Sequence, residues 1–276
     1  MCMTLHAIGY PCRADCRTSA MIVSAALASR RRVTTPRGEY RIWRSSAGAE
    51  IWLHYPLPKP ATDGPGGPGR LRGHVPPAFD PLGDLMGMTL VHAGASTIRM
   101  RLAKSLGVSP TNPLEGVGIA LLASQRMREK PIAFTFELLG YGSDDVRPTG
   151  EMDVQITALA QKIWAYASER DYFAATPAKR LIGPGAMANV TATEVPEVPL
   201  IYRPKPGTLW LATGTVRRAI RLINPETSSP YYLIHLATDR GLIDVVANPE
   251  VIEGDISEGH IAQILVTVTG RILQRV

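Results

Sequence analysis

The sequence predicts a mainly β fold with minor α: a β-rich N-terminal region, one amphipathic helix and a closed five-stranded barrel at the C-terminus. Three observations predict it. The 276 residues include 25 Gly and 23 Pro, and these cluster, which favours short strands joined by turns over a helical bundle. Runs of strand length rich in β-branched and aromatic residues recur along the chain, most densely in residues 209–276. An apolar fraction of 45% against 20% charged belongs to a folded chain.

Residues 1–35 read as a disordered extension. The apolar run 20–28 follows Arg13 and Arg17 and ends in Ala26, Leu27 and Ala28, which resembles a secretory cleavage site. It is short, however, and Arg30, Arg31 and Arg32 follow at once. A dispensable tail, with Met21 as an alternative start, is the preferred reading. Cys2, Cys12 and Cys16 all lie here, and with His6 they match no standard zinc spacing, so neither metal nor cofactor is expected. The remaining 260 residues contain no cysteine, which fits a reducing, cytoplasmic setting. No run approaches the roughly 18–20 apolar residues of a membrane span, so no membrane partner is expected.

A β-rich domain is expected over residues 36–180. Residues 39–45 and 50–55 are β-prone and separated by a short Ser-Ala-Gly-Ala loop, predicting a hairpin with Trp43 opposite Trp52. The two indoles read as a core patch in preference to a stacking platform. Residues 56–69 hold too much Pro and Gly for helix or central strand and lack the Lys-Ser/Thr of a phosphate loop. Further strands are expected at 88–92, 97–102, 116–123 and 132–141. The basic tip between the last two carries Arg126, Arg128 and Lys130, a solvated loop by default and a candidate phosphate contact. Residues 151–175 predict a helix, because Met152, Ile156, Leu159, Ile163 and Tyr166 recur at three-to-four spacing before Pro177. Residues 181–208 form a Pro-rich linker. The sequence leaves open whether residues 36–145 make a second barrel or an open sheet.

From Leu209 four strand-like runs follow with short turns, predicting a meander that curls on itself. Val216, Ile220 and Leu222 are expected on one face, with Arg217 and Arg221 on the other. Arg218 breaks the alternation, which predicts a bulge there. In the second run Tyr232, Ile234 and Leu236 are expected inside, and Tyr231, Leu233 and His235 outside. Ile264, Val266 and Val268 alternate through the last strand.

The residues Gly214-Thr-Val216, Leu236-Ala-Thr-Asp239, Gly241, Ile243-Asp-Val245 and Val268-Thr-Gly-Arg-Ile272 together resemble the OB-fold family. The likeness is to its tRNA-anticodon-binding and replicative polymerase alpha-subunit modules, and it covers residues 209–276. The resemblance implies a module that binds single-stranded nucleic acid, DNA in the first instance, by aromatic stacking and a basic groove. Carried onto this chain, the contacts would be Arg217, Arg221, Tyr231 and His235, with Arg240 at the rim.

Charge gives that reading mixed support. Residues 1–150 carry 18 Lys/Arg against 11 Asp/Glu, whereas residues 209–276 carry 6 against 7. Glu250, Glu253, Asp255 and Glu258 crowd the loop before the last strand. No serine elbow, zinc-protease helix, phosphate loop, dinucleotide fingerprint or Cys-x-x-Cys is present, and the six histidines are scattered, so no catalytic residues are assigned. Asp144 and Asp145 read as solvated turn residues, and His74 only as a histidine in an irregular segment. The expected function is non-catalytic binding of single-stranded nucleic acid. The alternative is an accessory protein whose modules pack on a protein partner.

Overall fold

The computed structural model describes residues 5–10, 16–57, 79–94, 96–108, 115–122, 131–137, 151–175, 209–238 and 241–275. They are mainly β, with helices α1 (Cys16–Ala28) and α2 (Glu169–Ala175). One antiparallel sheet takes β1 (Arg31–Thr35), β2 (Gly38–Arg44), β3 (Ala49–Tyr55) and β4 (Gly87–His92) in order. A larger sheet begins with β5 (Thr97–Val108), β6 (Glu115–Leu122), β7 (Pro131–Glu137) and β8 (Glu151–Tyr166). It continues with β9 (Leu209–Ile223), β10 (Pro230–Thr238), β11 (Gly241–Ala247), the short β12 (Ile252–Glu253) and β13 (Ile261–Arg275).

β9, β10 and β11 form a meander, and β13 returns to lie beside β9. This is the strand order of a Greek key. The fifth wall is β8, antiparallel to β13 along nearly its whole length and parallel to β11 at residues 244–246. Closure therefore comes from the segment expected to be the helix 151–175, of which only Glu169–Ala175 is helical. The three-to-four spacing misled because β8 is buried on both faces. Val154, Ile156 and Ala158 face the barrel core while Leu159 packs into a second core outside it. A strand covered on both sides loses its alternation, and periodicity alone cannot separate it from a buried helix.

β8 and β13 span 16 and 15 residues, long enough to serve two rings. Beyond Thr157 on β8 and Thr269 on β13 they border β5 and β7, and β5, β6 and β7 pair in sequence. A second ring of five strands thus shares two walls with the first. The expected domains 36–180 and 209–276 are not separate units. Ile98, Met152 and Val154 enter one core with Val216, Ile234, Val245 and Val268.

The N-terminal extension is also part of the fold. Ile22, Ala25 and Ala26 sit three and four residues apart on α1, and with Leu5 and Ile8 they pack against Leu53, Tyr231, Leu233 and Val246. Side chains of the barrel hold the preceding segment by its backbone. Asn224 Nδ2 donates to the Ile8 carbonyl at 2.7 Å, and Thr227 Oγ1 donates to that of Gly9 at 2.8 Å. Residues 31–35, expected in the same tail, are β1.

The β2–β3 hairpin forms one residue out of the expected register: Ile42 faces Trp52, and Trp43 faces Ile51. Gly48 takes a φ of 93° and donates its N–H to Ser45, which tightens the loop. A slip of one puts the two indoles on opposite faces. Trp52 is buried and Trp43 packs at the edge of the other core.

On β9 the register shifts between the partners of His235 and Leu236, leaving Arg217 as the bulge, one residue from the expected position. Past the bulge the faces exchange. Val216 points into the barrel, while Ile220 and Leu222 point out toward the N-terminal sheet, so they do not share a face. On β10 the parity is as expected, with Ile234 and Leu236 inside. The linker 181–208 lies outside the described residues, as do most of the loop 56–69 and the pair Asp144 and Asp145.

Candidate functional site

Arg218, His235 and Asp244 are successive cross-strand neighbours on the outward face of β9, β10 and β11. Asp244 is fully buried and is the hub of this group. His235 Nδ1 donates to its Oδ1 at 2.8 Å, and Ser96 Oγ donates to the same oxygen at 2.6 Å. The backbone N–H of Ser96 reaches Oδ2 at 3.3 Å. These bonds lay the β4–β5 connection across the barrel, and the fit is tight. A Cβ on Gly94 would stand 1.6 Å from Asp244 Oδ2. With Nδ1 committed to the carboxylate, neutral His235 carries its lone pair on Nε2. Ser96 and His235 both donate to Asp244, so the imidazole does not take the serine proton and the trio is not a nucleophile–base pair.

A second buried cluster joins the small sheet to the point where the two rings meet. Glu50 accepts from Trp52 Nε1 at 2.9 Å and from Arg271 Nη1 at 3.0 Å. Arg271 Nη2 donates to Gln155 Oε1, whose amide in turn donates to the carbonyls of His92 and Gly94 at 2.9 Å. His92 is held below the usual imidazole range by burial, and its Nε2 lies 3.2 Å from the Ala47 carbonyl. The Glu50–Arg271 pair is thus enclosed and hydrogen-bonded, an anchoring device and not an open site.

The predicted contact residues divide three ways. Arg217 and Arg221 are exposed, as is Arg218, and none of the three makes an ion pair among the described residues. His235 is half-buried on the face of Arg218, but Arg217 and Arg221 do not share a face as expected, because Arg217 is unpaired in the bulge and Arg221, opposite Tyr232, lies on the other face. Tyr231 points away from the barrel interior, but it is only 1% exposed, and its hydroxyl donates to the Ala47 carbonyl at 3.2 Å. It is not a stacking residue, because the N-terminal sheet and α1 cover it. Arg240, Arg126, Arg128 and Lys130 lie outside the described residues.

The acidic loop reaches the same end of β9. Val216 donates its N–H to the His260 carbonyl and accepts from Gly259, both at 2.8 Å, which tethers the exposed Asp255 and Glu258 near the bulge. Sequence reasoning passed over Asp244, Ser96, Glu50 and Gln155. Asp244 and Arg271 did carry a signal, as the polar members of the Ile243-Asp-Val245 and Val268-Thr-Gly-Arg-Ile272 motifs.

No protein-family model, curated protein or solved structure matches the chain. Among the described residues no group of three His, Cys, Asp or Glu side chains is placed to hold a metal ion.

Proposed function

We propose that the protein is a non-catalytic binder of single-stranded nucleic acid, gripping the phosphate backbone along β9 of an OB-type barrel. The observation that carries this reading is three arginines of β9 that are exposed and without carboxylate partners among the described residues: Arg217 in the bulge, Arg218 beside His235 on the outward face, and Arg221 further along on the opposite face. The five-stranded Greek-key ring supports the OB comparison, since that fold is a five-stranded Greek-key barrel. Because Tyr231 is covered, stacking contributes nothing there. Affinity then rests on charge, tolerates any base sequence and weakens steeply with salt. His235 Nε2, an acceptor when the ring is neutral, would meet an N–H or O–H of a base or sugar and not a phosphate.

The test is retention of a single-stranded DNA oligonucleotide by the full chain over a salt series. The reading fails if nothing is retained at low salt. One observation favours a second reading, a protein-packing module: the outward face of β10 and β11 already holds the chain's own α1 and β3. That reading expects no oligonucleotide retention at any salt concentration.

A further inference from the structure

The small sheet ends on an open edge. β1 is its outermost strand and runs antiparallel to β2, from Arg31 opposite Ile42 to Thr35 opposite Gly38. Only Pro36 and Arg37 separate Thr35 from Gly38, so this pair exchanges both of its backbone bonds. Bonding alternates from there: Arg31, Val33 and Thr35 spend their N–H and C=O groups on β2, and those of Arg32 and Thr34 point away from the sheet. These outward groups have no hydrogen-bond partner among the described residues.

The side chains give this edge a sign. Arg30, Arg31 and Arg32 are consecutive and exposed, and none makes an ion pair among the described residues. The carboxylate that β2 offers here, Glu39 opposite Thr34, is already held by Arg41 at 2.7 Å. Val33 packs against the buried Tyr40, Ile42, Trp52 and Val91, which holds the strand in place between its charged neighbours. Charge on an edge strand ordinarily keeps sheets from joining. Three arginines repel a second copy of this edge, but they attract a segment of opposite sign. The phosphates of a nucleic acid would answer the arginines and, as acceptors only, would leave the outward carbonyls of Arg32 and Thr34 without donors. An extended peptide brings N–H and C=O groups alternately and satisfies both.

We infer that β1 is a docking edge for an acidic, extended peptide of a partner protein, which adds to the small sheet as its fifth strand. The backbone of the peptide pairs with Arg32 and Thr34, and its carboxylates meet Arg30, Arg31 and Arg32. The edge is separate from the β9 arginines and does not depend on nucleic-acid binding.

Fluorescence anisotropy of a labelled octapeptide alternating Glu and Thr, titrated with the full chain, tests it. The expected result is saturable binding. The same peptide methylated at every backbone nitrogen keeps its charge, loses its donors and should be silent. Arg31→Ala with Arg32→Ala should weaken the peptide by about tenfold. Thr34→Pro removes an outward N–H and none that bonds β2, and should also weaken it by about tenfold, with the thermal midpoint reading whether the sheet is intact. Replacing Arg217, Arg218 and Arg221 by alanine should leave peptide binding unchanged. The inference is overturned by no binding at millimolar concentration, by a methylated peptide that binds as tightly, or by folded edge variants that bind like the wild type. Displacement of the peptide from the β9 triple variant by an oligothymidylate would also overturn it and assign the edge to nucleic acid.

Discussion

Replacing Arg217, Arg218 and Arg221 together by alanine is the sharpest probe of the proposed interface. All three are exposed and none has a carboxylate partner among the described residues, so their loss should leave the fold intact. For a single strand the logarithm of affinity falls with the logarithm of salt by about 0.7 per phosphate neutralised. Three arginines therefore predict a slope of about −2, and a loss of about 20-fold between roughly 50 and 200 mM salt. The triple variant should lose this dependence along with the affinity, and each single variant should lower the slope by about 0.7. Filter binding with a labelled single strand reads both quantities. Glu258→Gln should raise affinity modestly, because the screening length near 0.15 M salt is about 8 Å and the loop carboxylates are exposed. Retention that ignores salt, or a triple variant that binds as well as the wild type, would refute the argument. Either outcome would move the function away from β9.

Three further outcomes concern the framework. Gly94→Ala places a methyl against Asp244 and should cost about 1–3 kcal/mol, read as a lower urea midpoint; an unchanged midpoint would mean the β4–β5 connection yields freely. Ile22→Ala removes a side chain that is 4% exposed and should cost about 2–4 kcal/mol by the same measure, whereas a dispensable tail would cost nothing. Burial raises the Tyr231 phenol to about 12 and does the same for Tyr55, against 10.0 for an unperturbed tyrosine. In the unfolded chain both ionise first, so stability present below pH 10 should fall as pH rises from 10 to 12, by roughly 2 kcal/mol per phenol. Tyr231→Phe should make that alkaline loss shallower in urea titrations run at several pH values, and an unaltered loss would show that the Tyr231 phenol is not the cause.

The local parts of the fold were legible because local chemistry determines them. Runs rich in Val, Ile and aromatic residues located the starts of β2 to β7 to within one residue, though β5 runs six residues past its expected end, and turn residues placed the breaks between β9, β10 and β11. The bulge was legible within one position, since Arg218 cannot lie on an apolar face without a break in alternation. What failed was whatever depended on a partner distant in sequence. β8 looks like a helix when read alone; strands such as β11 and β13 pair its edges, and the two cores on its faces make a doubly buried strand of it. α1 looks like a tail for a related reason: among its described side chains the buried ones are one isoleucine and two alanines, too weak a stripe to announce a core contact.

The same distinction governs the site. Parity along β10 correctly sent Tyr231, Leu233 and His235 away from the barrel interior, and no local signal distinguishes them. Their fates differ because the N-terminal sheet covers one end of that face and stops short of the other. Tyr231 meets Leu53 and the Ala47 carbonyl, while His235, four residues on, meets the Asp244 carboxylate and neighbours Arg218 at the solvent edge. An outward side chain is therefore a binding residue only where the rest of the chain fails to arrive. On this barrel that condition holds at Arg217 and Arg218, and it is lost at Ile220 on β9 and Leu233 on β10, which pack against the N-terminal core. A ligand that needs aromatic stacking has no purchase on such a surface. One that needs only positive charge meets Arg217 and Arg218 at the bulge and the exposed Arg221 further along the strand.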